Sequence, residues 1–136
     1  DDSIMTLALA KAILDSKDDY SDLGDLAVDS MQSLGRKYPN CGYGGRFKHW
    51  VFAVDPKPYQ SLGNGSAMRV SSIGWLFDTL EETERVAGIS ASITHNHPEG
   101  IKGAQAVAAV IYLARTGSGK EEIKQYIEKT LRLQPE

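Results

Sequence analysis

Apolar residues recur at three- and four-residue spacing through most of the chain, with polar residues filling the positions between them. That period predicts amphipathic helices rather than strands, because residues three and four apart share one face of a helix. Ile4, Leu7, Ala8 and the Lys11-Ala12 pair fit a helix that begins near Asp2, where Asp2 or Ser3 is placed to cap free backbone N–H groups. Leu23, Leu26, Ala27, Met31 and Leu34 trace a second, with Ser21 as its N-cap and Gly35 as its stop. Between Tyr38 and Gly74 glycines and prolines interrupt the pattern, which predicts loops and short helices. The apolar run Trp50-Val51-Phe52-Ala53-Val54 within that stretch also fits a short strand.

The second half of the chain is more regular. Thr79-Leu80-Glu81-Glu82 matches a capping box, and Val86, Ile89, Ser90 and Ile93 then follow one helical face. Pro98 and Glu99 suit the first turn of the next helix, where proline loses no hydrogen bond and an acid meets the positive end of the dipole. The interior of that helix, Ala104 through Leu113, is rich in Ala and Val and predicts burial. Ser118-Gly119-Lys120-Glu121 matches a second capping box, leading into Ile123, Tyr126, Ile127 and Leu131 on one face, with Pro135 beyond. The expectation is an all-α, compact multi-helix fold with five long or medium helices.

Charge and composition narrow the functions. Fifteen basic residues against 18 acidic ones leave a net charge of -3, which disfavours direct nucleic-acid binding through the phosphate backbone. Cys41 is the single cysteine, so no disulfide or multi-cysteine zinc site can form within the chain, and a reducing compartment such as the cytoplasm fits best. No stretch approaches the roughly 20 apolar residues that span a bilayer, so no membrane association is expected. The chain opens on Asp1-Asp2-Ser3 and runs straight into an apolar-periodic segment, which reads as the interior of a longer protein.

Four segments have the composition of a functional site. Asp1 and Asp2 are adjacent carboxylates at a helix start, suited to a hard divalent cation or, equally, to capping and the helix dipole. Gly42-Tyr43-Gly44-Gly45-Arg46-Phe47 permits close backbone approach to a phosphate, with Arg46 or Phe47 against the rest of a nucleotide; a surface turn is the alternative. Leu62-Gly63-Asn64-Gly65-Ser66-Ala67-Met68-Arg69 delivers a small-residue loop into a helix, whose N-terminus favours an anion. Thr94-His95-Asn96-His97-Pro98 clusters polar groups between two helices, where capping and hydrogen bonding fit better than zinc because no third ligand lies nearby. Gly100, Gly103 and Ala104 then leave room for a helix or ligand to lie close.

Taken in order, these segments resemble the ADP-ribosylglycohydrolase family, over nearly the whole chain. The resemblance rests on Asp1 through Leu7, Gly42-Tyr43-Gly44, Gly63 through Arg69, Thr94-His95 and Gly103-Ala104. It implies an all-α fold with a two-metal Mg²⁺ site, Mn²⁺ in some members, and an ADP-ribosylated substrate. By that resemblance Asp1 and Asp2 are metal ligands and catalytic residues. The Gly42, Tyr43, Gly44, Gly45 and Phe47 loop would lie along the diphosphate, Asn64, Gly65, Ser66 and Met68 would line the ADP-ribose cleft, and His95 would contact the same region.

The family's Thr before the first acidic pair, its earlier Gly-Asp segment and its second acidic motif, an Asp-x-Asp-Thr/Ser near the C-terminus, are not in this sequence. Residues 1–136 are therefore expected to be the central part of a single domain. The chemistry implied is metal-assisted cleavage of the anomeric C1'' bond of ADP-ribose through an oxocarbenium-like transition state. A non-catalytic ADP-ribose-binding or structural protein of the same fold is the alternative, and a metal-independent helical nucleotide-binding module is a third reading. The acceptor stays open among arginine, serine, a nucleic-acid base and a small ester, and neither Tyr43 nor Trp50 chooses between them. Oligomeric state is open as well.

Overall fold

The structure, a computed structural model, describes residues 1–131. Eight α-helices follow in order among them: α1 (Asp2–Asp15), α2 (Leu23–Lys37), α3 (Gly45–Phe52), α4 (Gly65–Met68), α5 (Ser71–Leu76), α6 (Leu80–Ser92), α7 (Pro98–Arg115) and α8 (Lys120–Tyr126). A π-helical turn, Ile127–Leu131, continues α8. No strand occurs among the described residues, so the fold is all-α as the spacing predicts. Trp50 to Phe52 belong to the end of α3 rather than to a strand. The predicted face at Leu131 and the helix end at Pro135 lie outside the residues whose side chains are described.

Two apolar clusters hold the helices. The larger joins Leu9 and Ile13 of α1, Leu23 and Ala27 of α2, Ile73 of α5, Val86 and Ala91 of α6, and Ala104 and Ala108 of α7. Alanines where α6 meets α7 let the two backbones come close, which explains the Ala-rich composition of α7. Tyr20 and Phe77 close this core edge to face, with centroids 5.1 Å apart. The smaller cluster, Met5, Ala8, Met31, Trp50 and Val51, binds α3 to α1 and α2.

Helix ends differ from the sequence reading in instructive ways. Thr79 accepts a hydrogen bond from the Glu82 N–H at 3.2 Å, whereas the Glu82 carboxylate turns to Arg85 instead of closing the box. Gly119 occupies the N-cap of α8 without a side-chain bond, so Ser118 does not cap it. Asp22, not Ser21, stands at the N-cap of α2. Gly35 does not stop α2, which runs on to Lys37. A Cβ on Gly35 would lie 2.7 Å from Val51 Cγ1, so the glycine is where α3 presses against α2. The helix gives out before Pro39, whose ring disfavours helical backbone in the preceding residue.

Candidate active-site cleft

A cleft of about 310 Å³ opens where α1, α3 and α4 converge on the connection between α6 and α7. Its walls come from distant parts of the sequence: Asp1, Gly44 to Phe47, the loop at Tyr59 and Ser61, Gly63 to Gly65, Met68 and Arg69, and His95.

Hydrogen bonds between segments explain why these pieces meet. The Asp1 backbone nitrogen donates to the Cys41 carbonyl at 2.7 Å, drawing the start of α1 to the loop before α3. Thr6 Oγ1 bonds the Asp2 carbonyl at 2.7 Å and reaches the Met68 carbonyl at 3.4 Å, which ties α1 to α4. The Tyr59 and Ser61 N–H groups both donate to the Thr94 carbonyl, at 3.2 and 3.3 Å, and the Gln60 N–H donates to Asn96 Oδ1 at 2.7 Å. Gln60 takes a φ of 50° to make this turn. The loop therefore hangs on the end of α6 and becomes a wall of the cleft.

Gly100 is the device that admits it. A Cβ there would stand 2.7 Å from the Ser61 carbonyl oxygen and 2.9 Å from His95 Cβ. Gly103, by contrast, has nothing within 4 Å of such an atom.

The predicted site residues divide into those on the cleft and those behind it. Asp1, Gly44, Gly45, Phe47, Asn64, Gly65, Met68 and His95 line it. Ser66 does not: it is buried and donates to the Gly100 carbonyl at 2.9 Å, fastening α4 to α7. Asp2 is exposed and outside the lining. Gly42, exposed with φ 77°, shapes the turn before the cleft. Tyr43 packs edge to face on Phe47 at 5.7 Å, and Phe47 stacks on Trp50 at 5.5 Å, so Tyr43 supports the wall from behind. Burial pushes the Tyr43 hydroxyl above its usual range. His97 serves as the N-cap of α7, its Nδ1 accepting from the Glu99 N–H at 3.2 Å.

Asp1 stands at the N-cap of α1 yet makes no side-chain capping bond. Its Oδ1 is buried and has no hydrogen-bond partner. A buried carboxylate oxygen without a donor is costly, so the capping alternative does not account for this side chain.

Arg69 is the strongest electrostatic feature. It is 1% exposed, lines the cleft and has no acidic partner among the described residues. Its Nη2 donates to the Ser90 carbonyl at 2.8 Å and to Thr94 Oγ1 at 3.0 Å, while Nε has no partner. Burial lowers its pKa to about 10, still far above neutrality, so the guanidinium stays charged in the cleft wall.

His95, 2% exposed, bonds Thr94 Oγ1 through Nδ1 at 2.7 Å and leaves Nε2 unpartnered. Burial takes its pKa down to about 4, the Arg69 charge adds to the fall, and the Gly63 backbone acts in the opposite direction. The ring is therefore neutral near pH 7.

Tyr59 and Ser61 are cleft residues that motif reading missed. Arg46 Nη2 donates to the Tyr59 carbonyl at 2.8 Å and its guanidinium lies 4.8 Å from the Tyr59 ring centroid. Their placement depends on the Thr94 and Asn96 contacts, and the only local signal was the turn-forming Pro56-Lys57-Pro58 stretch before them.

A model of the ADP-ribosylglycohydrolase family matches residues 1–136. The chain belongs to the ADP-ribosylglycohydrolase family. Among curated relatives, it is 30% identical to ADP-ribosylhydrolase ARH3 of Mus musculus over 145 residues, which cover 96% of this chain and 38% of that protein. ADP-ribosylhydrolase ARH3 of Homo sapiens is also 30% identical, over 136 residues, covering 90% of this chain and 37% of that protein. The Gallus gallus ADP-ribosylhydrolase ARH3 is 29% identical, at 90% and 36% coverage. The chain thus spans a little over a third of the length of these relatives. No solved structure matches it. Among the described residues no helix is long and apolar enough to cross a membrane.

Proposed function

We propose that the cleft holds the ADP-ribose part of an ADP-ribosylated substrate and that the protein hydrolyses the anomeric C1'' bond to the acceptor. Arg69 is the observation that carries this reading: a buried guanidinium with no carboxylate partner attracts an anion, and the diphosphate of ADP-ribose is one. The backbone of Gly44 and Gly45 at the start of α3 offers N–H groups to the same anion. Phe47, Met68 and Tyr59 supply apolar surface for the rings of the nucleoside.

Mg²⁺ or Mn²⁺ would be held at Asp1 and Asp2. The orphaned, buried Oδ1 of Asp1 fits a hard cation, although no group of three or more His, Cys, Asp or Glu converges among the described residues. Mg²⁺ takes one or two carboxylates and completes its shell with water and phosphate, so Asp1, the member of the pair that lines the cleft, suits it, with Asp2 exposed beside it. Such an ion, when bound, supplies orientation of the ribose hydroxyls and activation of water. The chain's own residues fix the diphosphate and ribose, which turns a loose encounter into an oriented reaction.

The competing reading is an ADP-ribose-binding or structural protein of the same fold without hydrolysis. Release of ADP-ribose from modified arginine, serine and nucleic-acid substrates, measured with Mg²⁺ and with EDTA, separates the two. Metal-dependent release that disappears in an Asp1→Ala, Asp2→Ala double variant supports hydrolysis. Full activity in that variant rules out the metal assignment, and binding without release favours the second reading. A cytoplasmic location is proposed on the lone, half-buried Cys41, which requires no oxidising compartment.

A further inference from the structure

Three side chains in the cleft wall form one hydrogen-bonded line. Arg69 Nη2 lies 3.0 Å from Thr94 Oγ1, and Thr94 Oγ1 lies 2.7 Å from His95 Nδ1. All three are buried. A guanidinium has donors and no acceptor, so the Thr94 oxygen accepts from Arg69 and its own proton needs another destination. The neighbouring candidate is His95 Nδ1.

Two arrangements can be compared. With the hydroxyl proton donated to Nδ1, the neutral ring carries its proton on Nε2, and Nε2–H is the one group of the Thr94–His95 pair left unpaired. With the proton on Nδ1, that nitrogen donates to Thr94, the hydroxyl proton has no acceptor, and Nε2 is unpaired as well. Buried polar groups are overwhelmingly satisfied, so the first arrangement wins by one group. The Nε2 edge faces the start of α4, where a Cβ on Gly65 would stand 3.5 Å away.

We infer that Arg69 and Thr94 are positioning residues that fix the His95 tautomer with its proton on Nε2, so that the ring presents a neutral N–H donor at the Gly63–Gly65 wall of the cleft. That donor favours an acceptor oxygen of the phosphate or ribose class. The identity of the ligand rests on the proposed ADP-ribose reading, whereas the tautomer does not. The relay gives Arg69, which also lines the cleft, a second role: it orders the hydroxyl, and the hydroxyl orders the imidazole.

Long-range proton–nitrogen NMR of the labelled protein tests this directly, with the His95 signals assigned against His49 and His97 through a His95→Gln variant. A pyrrole-type Nε2 and a pyridine-type Nδ1, unchanged from about pH 5 to pH 8, are expected. Thr94→Val should populate the Nδ1–H form, and Thr94→Ser, which keeps the hydroxyl, should restore the wild-type pattern. An Nδ1–H or doubly protonated ring in the wild type near neutrality overturns the inference, as does an unchanged tautomer in Thr94→Val. If Thr94→Val does not fold, the wild-type spectrum and Thr94→Ser decide. Titration with ADP-ribose should shift the Nε2 signal and show affinity in Thr94→Val lowered roughly tenfold, the scale of one lost hydrogen bond. Failure of ADP-ribose to bind a wild type that shows the Nε2–H tautomer overturns the ligand reading and leaves the relay standing.

Discussion

The His95 ring rests on Gly65: its Cε1 lies 3.1 Å from where a Cβ on that glycine would stand. Gly65→Ala therefore asks the ring to give by a few tenths of an ångström, and a ring bound at Nδ1 to Thr94 gives by tilting. ADP-ribose affinity should fall on the order of tenfold, with a melting temperature lowered by only a few degrees. Calorimetry and a thermal melt on the same sample measure both. Unchanged affinity would show that this edge does not meet the ligand.

Arg69→Met keeps a similar volume and removes the buried charge. ADP-ribose affinity should drop by more than roughly tenfold and lose part of its salt dependence, because a charge-assisted contact to phosphate disappears. Titrations at low and high salt measure the change. Equal affinity in wild type and variant would mean that the guanidinium serves packing alone.

The low His95 pKa also sets a pH dependence of stability. Its folded value of about 4 lies below the ordinary 6.5, so the unfolded chain binds the proton more readily. By linkage, the His95 contribution is fully present above about pH 6.5, is lost progressively as pH falls, and levels off below about pH 4. Denaturant titrations across that window should show a decline that is shallower in His95→Gln. Parallel declines in the two proteins would contradict it.

Gly35→Ala tests the packing of α3 on α2. The added methyl gains helix propensity worth about 1 kcal/mol but meets Val51 at 2.7 Å. Overpacking costs about 1–3 kcal/mol, so a net loss of stability is expected. A Gly35→Ala, Val51→Ala double variant should recover part of it, beyond the sum of the single effects.

The helices were legible because each buries a stripe that leaves a period in the sequence. The short helices α3, α4 and α5 were foreseen only as a class, since four to eight residues hold too few turns to show a period. Gly35 misled for a physical reason: glycine ends helices by taking positive φ and fills helices by yielding space, and sequence does not distinguish the two. Residues of the cleft carried by motifs, such as Asn64, Gly65 and His95, were identifiable in advance. Tyr59 and Ser61 were not, because an isolated chain segment does not reveal that its amides will find a carbonyl more than 30 residues away. Ser66 has the composition of a ligand contact and the position of a strut.

The Tyr59 and Ser61 amides share a single carbonyl at the end of α6, that of Thr94, whose hydroxyl also orders His95. Any widening of the cleft that lifts this loop must release both amides from one acceptor in a single event. The two protons should consequently show matched protection from exchange, and ligand that closes the cleft should raise it for both together.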